Sequence, residues 1–309
     1  MSEPRTQTKP ARQDLTQALN SSGLRPLIVD LQELEFQRTG KRPGQLAVIR
    51  NALRALHSTM ATEGQQASLA AALLKFGESF ADGEKLSEDR QADALVKSNG
   101  FAFLVAVIFD GMMRAERAWK APYELKRRLG HLDPARIAAN PRAVARAIKD
   151  KPSLGRFVNQ TSAWVVSAAR RVLKQYGGRA ETIWEKSPSA KDLQARFDEF
   201  DGIAQKKAAM AVEILERMLR VSVVQMQGSD IAYDRHVRRV FLRTGLALFD
   251  DPDHMIAVAR RLNAKRPGAI DYPAWRVGKD WCRPTKPDCA HCPLREPCPK
   301  FIDRAATVR

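Results

Sequence analysis

Cysteine is absent from the first 281 residues of this 309-residue chain, and all four copies fall between Cys282 and Cys298. Thiols gathered in one short segment cannot staple distant parts of a fold, which excludes a disulfide-framed domain. There is also no apolar run of bilayer-spanning length, which argues against an integral membrane protein. Convincing period-2 alternation is missing as well, so no strand is expected. Acidic residues are scarce beside basic ones, 35 against 52, for a formal charge of +17. Such an excess favours a polyanionic partner, of which nucleic acid is the commonest. A basic protein with a merely solvated surface is the plainer alternative.

With 44% of residues hydrophobic, the chain can bury one large or two medium cores. Its apolar residues recur at helical spacing. Leu46, Ile49, Leu53, Leu56 and Met60 form one stripe, and Val158, Thr161, Val165, Ala168 and Val172 another, closed by Gly177-Gly178. Phe101 to Phe109 is continuously apolar and reads as a buried helix. Asp133-Pro134 and Asn140-Pro141 each pair an N-cap residue with proline at the first helical position. Further helices are expected over 190–197, 206–219, 234–244 and 253–262. The fold class is therefore all-α. Residues 1–65 read as a helical extension with a disordered start, and residues 66–309 as one compact unit. The polar opening MSEPRTQTKPARQD lacks the apolar stretch of a signal peptide, so a cytoplasmic, nucleoid-associated protein is expected.

The cysteines are spaced C-x6-C-x2-C-x5-C. Four thiolates this close can wrap one inorganic centre, and both tetrahedral zinc and an iron–sulfur cube accept such a set. On chemistry alone zinc comes first, since such four-cysteine sites are common, although they usually use two close pairs and only Cys289 and Cys292 form one here.

That spacing near the C-terminus resembles the iron–sulfur loop of endonuclease III and related adenine-mismatch glycosylases, members of the helix-hairpin-helix DNA glycosylase superfamily. Trp275, Gly278 and Lys286-Pro287 agree with the resemblance. A second match is Tyr233-Asp-Arg-His-Val-Arg-Arg-Val-Phe-Leu-Arg-Thr244, similar to the family segment that opens on the catalytic aspartate. A third is Phe200-Asp-Gly-Ile-Ala-Gln-Lys-Lys-Ala208, similar to the glycine hairpin L-P-G-V-G-x-K-x-A. Asp201 replaces the proline, Ala204 replaces the second glycine, and an apparent insertion lies around 219–230. The resemblance covers about residues 100 to 300.

It implies a helical barrel (about 112–228, hairpin 200–208) beside an iron–sulfur domain (66–111 with 229–309). It implies a [4Fe-4S] cluster on Cys282, Cys289, Cys292 and Cys298, and duplex DNA with a damaged or mismatched base as partner of a monomeric enzyme. Asp234 would stabilise positive charge developing on the sugar or activate a nucleophile. Taken alone, it reads as a helix N-cap. Lys206 falls where bifunctional members carry the Schiff-base lysine that gives abasic-site lyase activity. Gly202, Ala204, Lys207, Arg235, Arg238, Arg239, Arg283 and Lys286 are the expected DNA contacts. Met112 would plug the space left by a flipped base, or is plain core. Asp110 reads equally as a pocket residue or a surface cap. A non-catalytic iron–sulfur DNA-binding protein on the same scaffold is the rival reading.

Overall fold

The computed structural model describes residues 24–40, 42–49, 52, 61–80, 85–111 and 113–305. The chain divides into two units, 1–60 and 61–309. In the first, α1 (Arg25–Thr39) closes on Gly40, whose φ of 70° lets its N–H reach the Phe36 carbonyl. Ile28 and Val48 make a small buried cluster with Ile49 against it. Most of the stripe expected up to Met60 lies outside the described residues.

The second unit carries twelve described helices. They are α2 (Glu63–Glu78), α3 (Arg90–Ser98), α4 (Gly100–Phe109), α5 (Ala115–Leu129), α6 (Pro134–Ala139) and α7 (Pro141–Lys149). After them come α8 (Val158–Gln175), α9 (Ala190–Asp198), α10 (Gln205–Arg217), α11 (Arg235–Arg243), α12 (Pro252–Leu262) and α13 (Asp271–Asp280). No strand occurs among the described residues; Ser189 and Val224 form one isolated bridge. Short polar side chains start most of these helices by accepting first-turn N–H groups. Thr62 does so in a full capping box with Gln65, and Asp89, Asn99, Asp133, Ser189 and Asp251 do so alone. Asn140 precedes Pro141 as expected but makes no cap; its amide donates to the Arg136 carbonyl instead.

Two apolar cores result. The first gathers around α4, all ten of whose residues are buried, with Phe103 meeting the rings of Trp119, Trp184 and Phe197. Each fully buried Leu or Ile there, such as Leu104 or Ile108, contributes roughly 1.5–3 kcal/mol. The second core joins α2 to α11, α12 and α13. The sequence reading groups residues 66–111 with this C-terminal part. The side chains correct that division: 86–109 pack into the first core, and only α2 belongs to the second. Amphipathic patterning shows that a face is buried but not against which partner.

The extra residues near 219–230 run back along α9. Gly228 accepts from the Gln194 amide at 2.8 Å, and Val224 exchanges backbone bonds with Pro188 and Ala190. They leave the hairpin undisturbed and deliver the chain to Ile231.

Candidate active site and cysteine centre

The hairpin between α9 and α10 turns at Gly202, with the Ile203 N–H donating to the Phe200 carbonyl at 2.9 Å. Gly202 has a φ of +80°, and a Cβ there would lie 2.4 Å from the Trp164 ring. Both the backbone conformation and the contact therefore demand glycine. Ala204 opens α10 with no side-chain cap, so its half-buried first turn keeps N–H groups lacking an intrahelical acceptor.

Two lysines follow at once, an unfavourable place for cations beside a helix N-terminus. The C-terminal end of α4 explains them, because it points at the same spot. Lys207 Nζ donates to the Ile108 carbonyl and to the Gly202 carbonyl, each at 2.7 Å. It ties α4 to the hairpin, which corrects the expected phosphate contact: its ammonium is turned inward and occupied. Lys206 Nζ lies 2.7 Å from Asp110 Oδ1, at the end of α4, and 3.8 Å from Asp234 Oδ2, at the start of α11. Trp119 Nε1 donates to the other Asp110 oxygen at 3.3 Å. Asp110 is thus a buried member of the site, a role the sequence left open.

Asp234 is the N-cap of α11, accepting from the His236 N–H at 2.7 Å. Two side chains that the sequence did not single out hold the segment before it. Gln205 donates to the Ile231 carbonyl and accepts from the Tyr233 N–H, while Asp271 accepts from the Ala232 N–H at 2.7 Å. No one-dimensional signal marks either, because each acts across more than 25 residues.

Electrostatics separate the two lysines. For Lys206, burial works against the charge, but Asp110 and then Asp234 outweigh it and hold the ammonium above the ordinary lysine range. For Lys207, burial wins and the pKa falls to about 8. Burial also pushes Asp271 up to about 8, so this clamp carries a proton at neutral pH.

The arginines of α11 sort differently from expectation. Arg235 is exposed. Arg238 is engaged with Asp250, its Nε 2.7 Å from Oδ1, and stacks on Tyr233. Arg239 is fully buried, which corrects its assignment to DNA. Its guanidinium donates to the carbonyls of Cys282 (2.6 Å) and Gly278 (2.7 Å) and lies 3.0 Å from His236 Nδ1. Arg243, also buried, donates to the carbonyls of Arg283, Pro284 and Ile302 and approaches Cys282 Sγ at 3.7 Å. Together the two arginines fasten the cysteine loop to α11. Arg283 and Lys286 remain exposed on that loop. Met112 lies outside the described residues.

All four cysteines line a single cavity of about 20 Å³, closed on the protein side by Val240, Val277, Leu294 and Ile302. Burial, with the other three thiols, pushes Cys292 up to about 11. Four thiolates at this spot therefore require a cationic centre among them. The Leu294 N–H reaches Cys292 Sγ at 3.4 Å, as donors to bound thiolates do. Among the described residues, no three His, Cys, Asp or Glu side chains are gathered so as to hold one metal ion. The donor set, four thiols facing one cavity with a backbone N–H on one sulfur, fits a cationic centre held by thiolates.

No protein-family model matches the sequence, and no curated protein is similar to it. Solved structures are similar in fold. An endonuclease III trapped as a covalent intermediate with DNA aligns at a TM-score of 0.56 and 17% identity, over 77% of this chain and 98% of that one. A non-covalent endonuclease III–DNA complex aligns at 0.57 and 16%, over 77% and 97%. A thermostable thymine-DNA glycosylase aligns at 0.51 and 14%, over 79% and 99%. Over about three-quarters of its length the chain thus has the all-α, helix-hairpin-helix glycosylase fold of endonuclease III.

Proposed function

We propose that the chain is a DNA glycosylase of base excision repair, hydrolysing the N-glycosidic bond of a damaged or mismatched base in duplex DNA. The observation that carries this reading is the Asp234 carboxylate, capping α11 and facing Lys206 across 3.8 Å beside the glycine hairpin. Duplex DNA would meet the N–H groups at the start of α10 and the exposed cations Arg235, Arg283 and Lys286. The altered nucleotide leaves the stack, since its glycosidic carbon is unreachable otherwise. Asp234 then stabilises the cationic sugar or activates the attacking water. The fold's presence in DNA-bound endonuclease III structures supports a DNA partner.

Cys282, Cys289, Cys292 and Cys298 would hold a [4Fe-4S] cluster, which fixes the loop and its cations towards phosphates. The purified protein is expected to be brown and to contain iron and acid-labile sulfide; zinc alone would refute the assignment. A monomer in the cytoplasm completes the reading.

The test is base release from duplexes carrying one lesion each. Asp234→Asn should keep the helix cap yet lose about 10²–10³-fold in rate, as other preorganised charges do. Retained release in that variant overturns Asp234's role. The alternative, a DNA-binding module without chemistry, is favoured by Ala204 and Asp201 in the hairpin. It predicts salt-sensitive duplex binding with no release from any lesion.

A further inference from the structure

Lys206 lies at the position where strand-cleaving relatives place an attacking amine, but its surroundings are not those of a nucleophile. Only the free amine has a lone pair to attack a sugar carbon. Here the nitrogen is held by Asp110 at 2.7 Å, with Asp234 at 3.8 Å on the other side. The Asp110 side chain is 10% exposed and that of Asp234 15%, so water screens neither strongly. Asp110 is fixed in turn by the Trp119 indole and by its place at the end of α4.

We propose that Asp110 is a positioning residue that locks Lys206 as an ammonium, so that water and not Lys206 is the nucleophile at neutral pH. The inference rests on the reading that this site acts on a sugar carbon. The ammonium serves as a fixed cation that orients Asp234, and no covalent bond to the protein forms. The carboxylates facing Lys206 support this: Asp110 at the end of α4 and Asp234 at the start of α11 favour its charge, and Asp271 at the start of α13 joins them only once ionised, above about pH 8. Lys207, on the same helix, carries a like charge at neutral pH and opposes it.

The opposite expectation follows from removing the lock. Asp110→Asn has nearly the same shape and leaves Lys206 with one near carboxylate, so the amine frees its lone pair at lower pH. An opposite charge at this distance moves a pKa by about 1–3 units, which makes the amine about tenfold or more reactive near neutrality. Lys206 reactivity is read in two ways. The first is reductive methylation of the whole protein across a pH series, followed by peptide mass spectrometry. The second is borohydride trapping on a duplex with a preformed abasic site.

Wild type and Asp110→Glu should resist both near pH 7, while Asp110→Asn should react, its methylation midpoint moved down by at least about one pH unit. Lys206→Gln supplies the blank, and circular dichroism verifies that each variant is folded. If Asp110→Asn does not fold, Asp110→Ser, which keeps an acceptor for Trp119, takes its place. An unchanged profile in the variant, or ready trapping of the wild type near pH 7, overturns the proposal. Methylation needs no DNA. A shifted profile with no base released from any duplex would leave the lysine lock standing and sink the glycosylase reading alone.

Discussion

The lysine site and the cysteine loop hold buried cations in contrasting ways. At the hairpin, Lys206 faces Asp110 and Asp234, groups that can exchange protons with it. At the loop, Arg239 and Arg243 face mainly carbonyl oxygens, those of Gly278, Cys282, Arg283, Pro284 and Ile302, which cannot, with His236 Nδ1 and Cys282 Sγ beside them. Lys207 makes the point sharpest: one position from Lys206, it donates only to carbonyls. A cation whose partners titrate belongs to chemistry, whereas one whose partners are backbone belongs to architecture. The identity of the neighbour, more than the residue type, divides the two.

Breaking the chemical side should produce the largest effect, the 10²–10³-fold loss in base release for Asp234→Asn, with little change in melting temperature. On the architectural side the effect should invert. Arg239→Met strands two buried carbonyls and should cost about 3 kcal/mol or more in chemical denaturation, loosening the loop with it. Full stability in that variant would collapse the distinction.

Asp271 offers a finer test, because it titrates yet serves as a clamp. Its folded pKa of about 8 stands above the ordinary aspartate value of 3.8. Its contribution is therefore fully present below pH 3.8 and is lost as pH rises through about 8. Asp271→Asn, which can still accept from Ala232, should flatten the melting temperature between those limits. A variant with the wild-type slope would assign that dependence elsewhere. Smallest of all, Arg283→Ala or Lys286→Ala should reduce the salt slope of duplex binding by about one per residue, leaving stability untouched.

Much of this was legible in sequence. The cysteine spacing and the Asp234 segment are dense local patterns, and caps such as Asp133 and Asp234 are read from two adjacent residues. Arg239 was misread because a buried arginine at helical spacing looks the same as an exposed one; only the carbonyls of Gly278 and Cys282, some 40 residues on, decide it. The pairing of Lys206 with Asp110 spans 96 residues and leaves no trace in either segment. Asp271 and Gln205 escaped for the same reason, since a clamp is a relation between positions that share no motif.

Helix α11 joins the two regions just compared. At nine residues it is about 13 Å long, with the carboxylate at its head and the two guanidinium clasps further along. A substitution at Arg239 or Arg243 therefore bears on where the Asp234 carboxylate sits, although neither side chain touches it. Loss of the cysteine loop would take away most partners of both clasps, and with them part of what keeps this rod aimed.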